Sequence, residues 1–215
     1  MFKDVQAAIF DLDGTLIDSM WIWDELDKSY LENKGIVKPE NLEDEINHLS
    51  FQQTAEYFRK TFNLSESVEE IMEEINSLAY ENYKNNAPLK PGAIEFLSSL
   101  KEKGIKIAIA TSNSSPLLDV ALESNSISNY IDSITTTNEV DKPKSYPDIY
   151  LLAAKRLGVS PENCIVFEDI LAAVEGAKSA GMKVVAVYDK YSEHQKPQLI
   201  QKADKYINSF NDMAI

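Results

Sequence analysis

Four short apolar segments, each ending abruptly at polar residues, constrain the fold of this 215-residue chain more than any other feature. Continuous runs of this length, rich in branched and aromatic residues, indicate strands buried on both faces of a parallel sheet. Because parallel strands end at one edge of a sheet, the polar residues that terminate them should meet there. The segments are AAIFDL from Ala7, KIAIATS at Lys106 to Ser112, CIVFED at Cys164 to Asp169, and KVVAVYD at Lys183 to Asp189.

Helical patterns separate these predicted strands. They are GAIEFLSSLKEKG before the second strand, PDIYLLAAKRLG before the third and LAAVEGAKSAG after it. Each ends at a glycine suited to a helix C terminus, namely Gly104, Gly158 or Gly181. Strands that alternate with helices predict an α/β fold with a doubly wound, mostly parallel sheet.

The segment between the first two strands has a different pattern. It lacks apolar strand runs and contains three helical patterns, MWIWDELDKSYLENKG, PENLEDEINHLSFQQTAEYFRKTFN and SESVEEIMEEINSLAYENYKNN. In the third, Ser67 and Glu70 have the spacing of a capping box. Its predicted apolar face comprises Val68, Ile71, Met72, Ile75, Leu78 and Ala79. We predict a core domain of residues 1–18 and 89–215, with an all-helical cap domain of residues 19–88 inserted over the carboxyl edge of the sheet as a lid.

Composition excludes several classes of function. A formal net charge of -14 argues against nucleic acid as a partner, since such binding needs clustered basic residues. The single cysteine, Cys164, allows no internal disulfide and is expected to pack in the core. His48 and His194 lie far apart and receive no role. No stretch resembles a signal peptide or a membrane span, so we expect a cytoplasmic protein without membrane contact. We also expect a monomer.

Acidic residues follow two of the predicted strands. Asp11 and Asp13 end the first strand, directly before Gly14, and an acidic turn or helix cap would look the same in isolation. The spacing required for a calcium EF-hand loop is absent. Glu168 and Asp169 end the third apolar run, where two adjacent acids are costly to bury without a cation.

Groups suited to phosphate lie after the second predicted strand and in the loop before the PDIY helix. Hydroxyl and backbone N–H groups at Thr111, Ser112 and Asn113 are placed to hold a phosphoryl oxygen, with a helix N-cap as the alternative. The loop DKPKSYPD adds Lys142 and Lys144, with solvated surface lysines as the alternative. These loops together supply the parts that phosphoryl transfer needs.

This combination resembles the haloacid dehalogenase superfamily of aspartate-nucleophile phosphotransferases. The resemblance rests on DLDGT from Asp11, TSN from Thr111, a lysine before PDIY, and FED ending at Asp169. The helical insert is similar to the small cap of the subgroup that holds phosphoglycolate phosphatases and β-phosphoglucomutases. The resemblance implies a haloacid dehalogenase-like core and a Mg²⁺-dependent phosphatase that acts on a small phosphorylated metabolite through an aspartyl phosphate.

The resemblance also implies roles for individual residues. Asp11 would be the nucleophile and Asp13 the general acid and base. Mg²⁺ would be bound by Asp11, Asp169 and the main-chain carbonyl of Asp13, with Glu168 as an additional or water-bridged ligand. The implied phosphate-binding residues are Thr111, Ser112, Asn113 and Lys144.

Several positions depart from the family pattern. Both Lys142 and Lys144 match the family lysine, although counting back from Pro147 favours Lys144. Trp23 and Phe51 stand where the mutase branch carries a histidine and an arginine. These two residues and Trp21 are candidates for an apolar substrate pocket or for packing within the cap. Hydrolysis is therefore favoured, with a β-phosphoglucomutase-like sugar phosphomutase and a non-catalytic phospho-ligand-binding module as alternatives.

Overall fold

The computed structural model describes residues 1–213 and contains a six-stranded sheet in the order β3-β2-β1-β4-β5-β6, in which every pairing is parallel. The strands run Ala7–Phe10 (β1), Lys106–Thr111 (β2), Ser133–Thr136 (β3), Cys164–Glu168 (β4), Lys183–Val187 (β5) and Lys205–Ile207 (β6). The chain winds outward in both directions from β1, so the strand order reverses beside it. The predicted doubly wound α/β fold is confirmed, and β1 ends at the switch point where such sheets bind ligands.

The four strands predicted from apolar runs are the inner strands of this sheet. β3 and β6 were not predicted, because they are short edge strands with the sequences SITT and KYI. An edge strand buries less of its surface, so its sequence need not be continuously apolar. The apolar runs therefore predict the inner strands of the sheet and not its two edge strands.

Alternating side chains of β1 divide the core into two layers. Ala8 and Phe10 face one layer, where Phe10 stacks on Phe167 of β4 with ring centroids 4.5 Å apart. Ala7 and Ile9 face the other layer. Helices cover both faces of the sheet, and as a result β1 is completely buried.

Four helices lie between β1 and β2, and we call them the cap. They are Met20–Asn33 (α1), Leu42–Ile46 (α2), Phe51–Thr61 (α3) and Val68–Asn86 (α4). The second helical pattern therefore contains two helices, separated at Ser50, whose hydroxyl accepts a hydrogen bond from the backbone N–H of Gln53 at 3.1 Å and caps α3. The predicted capping box of Ser67 and Glu70 is confirmed at the start of α4.

The apolar face of α4 differs from its prediction at one position. Ile71, Ile75 and Ala79 are buried as expected, but Leu78 is 41% exposed. Tyr83 continues the buried face instead. A helix repeats every 3.6 residues, so Tyr83 follows Ala79 on the same stripe whereas Leu78 lies beside it.

The remaining helices belong to the sheet layers. They are Ala93–Glu102 (α5), Ser115–Ser124 (α6), Asp148–Leu157 (α7), Leu171–Ser179 (α8) and Lys196–Lys202 (α9). The predicted helix stops at Gly104, Gly158 and Gly181 are confirmed, since each glycine has a positive φ just after a helix. Within residues 1–213, no helix is both long enough and apolar enough to cross a bilayer.

Two neighbouring chain segments connect the cap to the sheet. The backbone N–H of Asp18 donates to the carbonyl of Pro88 at 2.8 Å, and the N–H of Lys90 donates to the carbonyl of Leu16 at 2.8 Å. The entry to the cap and the exit from it therefore run side by side above β1. The domain division at residues 18 and 88 stays a prediction.

Close packing of α8 positions the loop before α7. A Cβ atom added to Gly176 would lie 2.0 Å from the carbonyl oxygen of Lys144 and 2.9 Å from that of Tyr146. Both contacts are with backbone, which cannot rotate away. Gly176 thus allows the loop to pass directly against α8.

We predict that Gly176→Ala displaces this loop and destabilises the protein by about 1–3 kcal/mol, because extra volume in a packed site forces backbone shifts. Urea unfolding followed by circular dichroism would measure the change. Ser179→Ala, at an exposed position of the same helix, serves as the control and should lie within about 0.5 kcal/mol of wild type. Equal stabilities for the two variants would contradict the packing argument.

Candidate active site

A pocket opens where the carboxyl ends of β1, β2 and β4 face the cap. Its volume is about 140 Å³, far above the roughly 10–15 Å³ that one water molecule needs. The predicted site residues that line it are Asp11, Asp13, Thr111, Ser112, Asn113, Lys144 and Asp169. The remaining predicted residue, Glu168, is fully buried and contacts Lys144. The tertiary structure therefore brings the predicted strand ends together.

Lys144 is buried between two carboxylates. Its Nζ donates to Oδ1 of Asp11 at 2.6 Å and lies 2.6 Å from Oε1 of Glu168. Burial alone would lower the pKa of Lys144, but the charges of Asp11 and Glu168 outweigh it and raise the pKa. The lysine is therefore a fixed cation within the site.

Lys142 occupies a different environment. It is exposed, and its ammonium group lies 5.3 Å from the ring centroid of Tyr146. Of the two lysines left open by the sequence, only Lys144 lies beside the carboxylates. A turn at Pro143 separates the two lysines and directs them to different environments. The carbonyl of Pro143 accepts a hydrogen bond from Tyr146 N at 2.9 Å.

Asp11, Glu168 and Asp169 form an acidic cluster with more negative charge than Lys144 neutralises. One carboxylate oxygen of each lies within 4.8 Å of the others. Burial raises the pKa of Glu168 to about 7, an effect that Lys144 opposes and Asp11 reinforces. Burial and the charge of Asp11 raise the pKa of Asp169 well above its ordinary value. These shifts mark a site in which charge remains uncompensated.

The donor set of the cluster fits a hard divalent cation. Oε2 of Glu168 is enclosed and has no hydrogen-bond partner among residues 1–213. Tyr150 and Lys144 occupy only the other oxygen, Oε1. Carboxylate oxygens at this density are the ligands that Mg²⁺ takes in proteins.

Gly14 allows Asp169 to approach the loop after β1. Its φ is +76°, a conformation that favours glycine, and an added Cβ would lie 2.5 Å from Oδ2 of Asp169. The hydroxyl of Thr15 donates to Oδ1 of the same carboxylate at 3.1 Å. Residues of the DLDGT motif therefore pack against Asp169, the acid that follows β4.

Asp13 is held by donors from three parts of the chain. Ser19 Oγ donates to Oδ1 at 2.6 Å, Asn113 Nδ2 donates to Oδ2 at 2.8 Å, and the Tyr83 hydroxyl also donates to Oδ1. Burial and the nearby charge of Asp11 raise the pKa of Asp13, although these hydrogen bonds lower it. Because Tyr83 belongs to α4, the cap helps to orient this carboxyl group.

The turn after β2 offers polar groups to the pocket. The backbone N–H of Asn113 donates to Thr111 Oγ1 at 3.0 Å, which orders the turn. The enclosed hydroxyl of Ser112 has no hydrogen-bond partner among the described residues. The side-chain amide of Asn113 is occupied by Asp13 and Tyr83. Ser112 is therefore the residue of this turn with a free hydroxyl for a ligand.

The cap side of the pocket is mostly apolar. Trp23 and Phe51 both line it and also pack together, with ring centroids 6.1 Å apart. Trp21 lies outside this pocket and donates its indole N–H to the carbonyl of Asp18 at 3.1 Å. Asp27 also lines this wall although it is only 6% exposed.

Sequence reasoning missed Ser19, Tyr83, Tyr150 and Asp27. Ser19 follows the first motif closely, and this proximity was an available signal. The other three occupy helical positions that a packing role explains equally well. Cys164 is buried as expected, and burial raises the pKa of its thiol to about 11. The two histidines do not line the pocket.

Comparisons with known proteins identify the family of this chain. Residues 8–187 match the family described as haloacid dehalogenase-like hydrolases. Phosphorylated carbohydrates phosphatase of Thermotoga maritima is 30% identical over 179 residues, which cover 83% of each chain. Hexitol phosphatase B of Escherichia coli is 28% identical over 188 residues, which cover 86% of this chain and 84% of its own.

The fold is shared with a solved structure. β-Phosphoglucomutase from Clostridium difficile superposes with a TM-score of 0.83 at 24% identity, covering 98% of this chain and 94% of its own. The fold and the relatives together identify the protein as a phosphatase with an α/β fold. The chain belongs to the haloacid dehalogenase-like hydrolase family.

The position of Lys144 leads to a paired mutational prediction. We expect Lys144→Met to lower kcat/KM on a phosphate ester by about 100-fold or more, because a preorganised cation is removed from the site. Lys142→Met should retain activity within about threefold of wild type. Steady-state kinetics on p-nitrophenyl phosphate, with circular dichroism to verify folding, would measure both. Comparable losses in the two variants would contradict the assignment.

The environment of Asp27 predicts a pH-dependent stability. Burial raises the pKa of Asp27 from 3.8 to about 7, and the charge of Lys38 offsets this shift only in part. Between these values the folded protein binds more protons than the unfolded chain, so the contribution of Asp27 to stability falls as pH rises through this window.

We predict that Asp27→Asn stabilises the protein relative to wild type by an amount that grows by on the order of 1–3 kcal/mol from pH 5 to pH 8. Chemical unfolding at the two pH values would measure it. Glu25→Gln, an exposed position on the same helix, is the control and should show little change with pH. A constant difference between Asp27→Asn and wild type at both pH values would refute the prediction.

Proposed function

We propose that this enzyme is a Mg²⁺-dependent phosphatase that hydrolyses a small phosphorylated metabolite through an aspartyl phosphate on Asp11. The observation that supports this most strongly is the position of the Asp11 carboxylate. It lines the pocket, accepts a hydrogen bond from Lys144 at 2.6 Å, and lies within 4.8 Å of carboxylate oxygens of Glu168 and Asp169. Lys144, together with a cation held by the three carboxylates, would supply the positive charge that an anionic nucleophile needs in order to approach an anionic phosphate.

The first chemical step would be attack by a carboxylate oxygen of Asp11 on phosphorus. A new O–P bond forms while the bond to the ester oxygen breaks, and Asp13 donates a proton to that departing oxygen. In the second step Asp13 accepts a proton from a water molecule that attacks the phosphoryl group. The aspartyl O–P bond then breaks, which releases inorganic phosphate and regenerates the Asp11 carboxylate.

Asp13 has properties suited to both steps. Burial and the negative charge of Asp11 raise its pKa, which favours the protonated form required of a general acid. Three hydrogen-bond donors fix the orientation of its carboxyl group. Positioning and proton supply are therefore combined in one residue.

The residues that would hold Mg²⁺ are Asp11, Asp169, the main-chain carbonyl of Asp13, and Glu168 through its free Oε2. When bound, the ion would neutralise charge on the phosphoryl group and on the carboxylates. Lys144, in the loop before α7, contributes a positive charge. Ser112 offers a phosphoryl oxygen its hydroxyl, which is unpaired among the described residues.

The proposed substrate is small because the cap closes the pocket. The backbone N–H of Phe51 donates to the carbonyl of Ser112 at 3.3 Å, and Ser114 Oγ donates to Asn76 Oδ1 at 2.6 Å. These contacts join the cap to the loop after β2 and limit the space above Asp11. Relatives named for phosphorylated carbohydrates and hexitols make a phosphorylated sugar or polyol the class to test first.

Replacement of the nucleophile tests this proposal. We expect Asp11→Asn to abolish phosphate release from every ester tested, because an amide cannot form the aspartyl phosphate. Asp18→Asn, which alters an exposed acid a few residues later, should keep wild-type activity. A malachite green assay over phosphorylated sugars, polyols and small acids would measure release. Turnover by Asp11→Asn at a rate near wild type would rule out the mechanism.

The same assay tests the metal and the acceptor. Chelation with EDTA should remove activity and added Mg²⁺ should restore it, whereas full activity in EDTA would contradict the metal proposal. Conversion of a sugar phosphate into its isomer in the presence of the corresponding bisphosphate, without phosphate release, would indicate the phosphomutase alternative. Tight binding of one phosphometabolite without either reaction would indicate a binding module.

A further inference from the structure

We propose that Asp27 binds a hydroxyl group at the end of the substrate remote from the phosphate, and thereby selects polyhydroxylated phosphate esters. This inference rests on the proposed function, because it assumes that the phosphoryl group lies beside Asp11. It adds a specificity residue from the cap to a reaction performed by residues of the sheet edge.

Asp27 is a buried acid whose carboxyl group has no hydrogen-bond partner among the described residues. It is 6% exposed, and its carboxylate accepts no hydrogen bond from the side chains or backbone of residues 1–213. Neither carboxylate oxygen is completely enclosed, because every enclosed side-chain oxygen without a partner in residues 1–213 belongs to another residue. The side chain lines the pocket, and its accessible oxygens therefore face space that a ligand can fill.

The charged side chains near Asp27 do not provide its carboxyl group with a partner. Lys38 lies close enough to affect its pKa, but the ammonium group of Lys38 is paired with Asp24 at 2.5 Å and also contacts Glu43. Those two acids bring further negative charge and raise the pKa of Asp27. An unpaired carboxyl group in an apolar wall is costly for folding. A structural role does not explain why an acid occupies this position.

The location of Asp27 relative to the phosphate end supports a ligand contact. Asp11 and Lys144 line the sheet side of the cavity and Asp27 lines the cap side. Trp23 and Phe51 line the same cavity. A molecule that places its phosphate at Asp11 and extends towards the cap would meet these aromatic rings and the carboxyl groups of Asp27 and Glu43. Glu43 contacts Lys38, whereas Asp27 has no hydrogen-bond partner among the described residues.

A hydroxyl group suits this carboxyl better than an ammonium group does. With a pKa of about 7, the Asp27 side chain is present in both protonation states near neutral pH, and a hydroxyl can donate to one state and accept from the other. An ammonium group only donates, so it can pair with the ionised state of Asp27 alone. A sugar or polyol chain supplies hydroxyl groups remote from its phosphate.

The test compares two substrates across variants of Asp27. We expect Asp27→Leu to lower kcat/KM for sorbitol 6-phosphate by about 10–100-fold, chiefly through KM, because one hydrogen bond to a charged group is lost. Hydrolysis of p-nitrophenyl phosphate, which has no hydroxyl chain, should stay within about threefold of wild type. Asp27→Asn, whose amide can still donate and accept, should retain more polyol activity than Asp27→Leu. Glu25→Gln on the exposed face of the same helix should change neither substrate.

Equal effects of Asp27→Leu on both substrates would overturn the inference, as would no effect on either. A wild-type preference for phosphoethanolamine that disappears in Asp27→Leu would overturn it in favour of an ammonium ligand. If Asp27→Leu fails to fold, Asp27→Ala, which also lacks a hydrogen-bonding side chain, takes its place: a loss confined to sorbitol 6-phosphate supports the inference, and equal or absent effects on the two substrates overturn it. Absence of hydrolysis of every ester by the wild type would instead refute the proposed function, so the two failures are distinguishable.

Discussion

The rest of the site depends on the buried ion pairs of Lys144 with Asp11 and Glu168. Each residue comes from a different segment: the end of β1, the loop before α7 and the end of β4. Burying these charges is favourable only when their partners are held in good geometry. Adjacent pairing of β1 with β4 holds the carboxylates, and the close approach of Gly176 to the lysine loop holds the cation. The negative charge that remains is the charge that the proposed cation would neutralise.

The second organising feature is the link between the cap and the acid/base candidate. Asp13 belongs to the sheet domain, yet one of its three donors is Tyr83 of α4. The same tyrosine packs against Trp23 in the pocket wall, with ring centroids 6.0 Å apart. Any displacement of α4 would therefore change both the orientation of Asp13 and the shape of the substrate pocket. In the proposed mechanism, substrate enclosure and proton transfer would therefore depend on the same helix.

Much of the core and part of the site could be predicted from residue patterns. Continuous apolar runs identify strands that are buried on both faces, and polar residues at their ends identify the carboxyl edge. Asp11, Thr111 and Asp169 were located in this way because each directly follows such a run. The edge strands could not be found by the same argument, because SITT and KYI bury only part of their surface. Lys144 was separable from Lys142 only by counting along a motif, and the turn at Pro143 supplies the physical reason.

The sequence by itself determined the doubly wound sheet, the helical insert and the set of acids, hydroxyls and lysines at the strand ends, because local patterns of burial and turn formation encode them. The tertiary structure alone decided which groups meet across the cap and sheet. Tyr83 and Asp27 lie on helices with ordinary amphipathic patterns, and nothing in those patterns distinguishes a core position from one facing a pocket. That distinction depends on how the cap packs over β1, where contacts join residues as far apart as Asp13 and Tyr83.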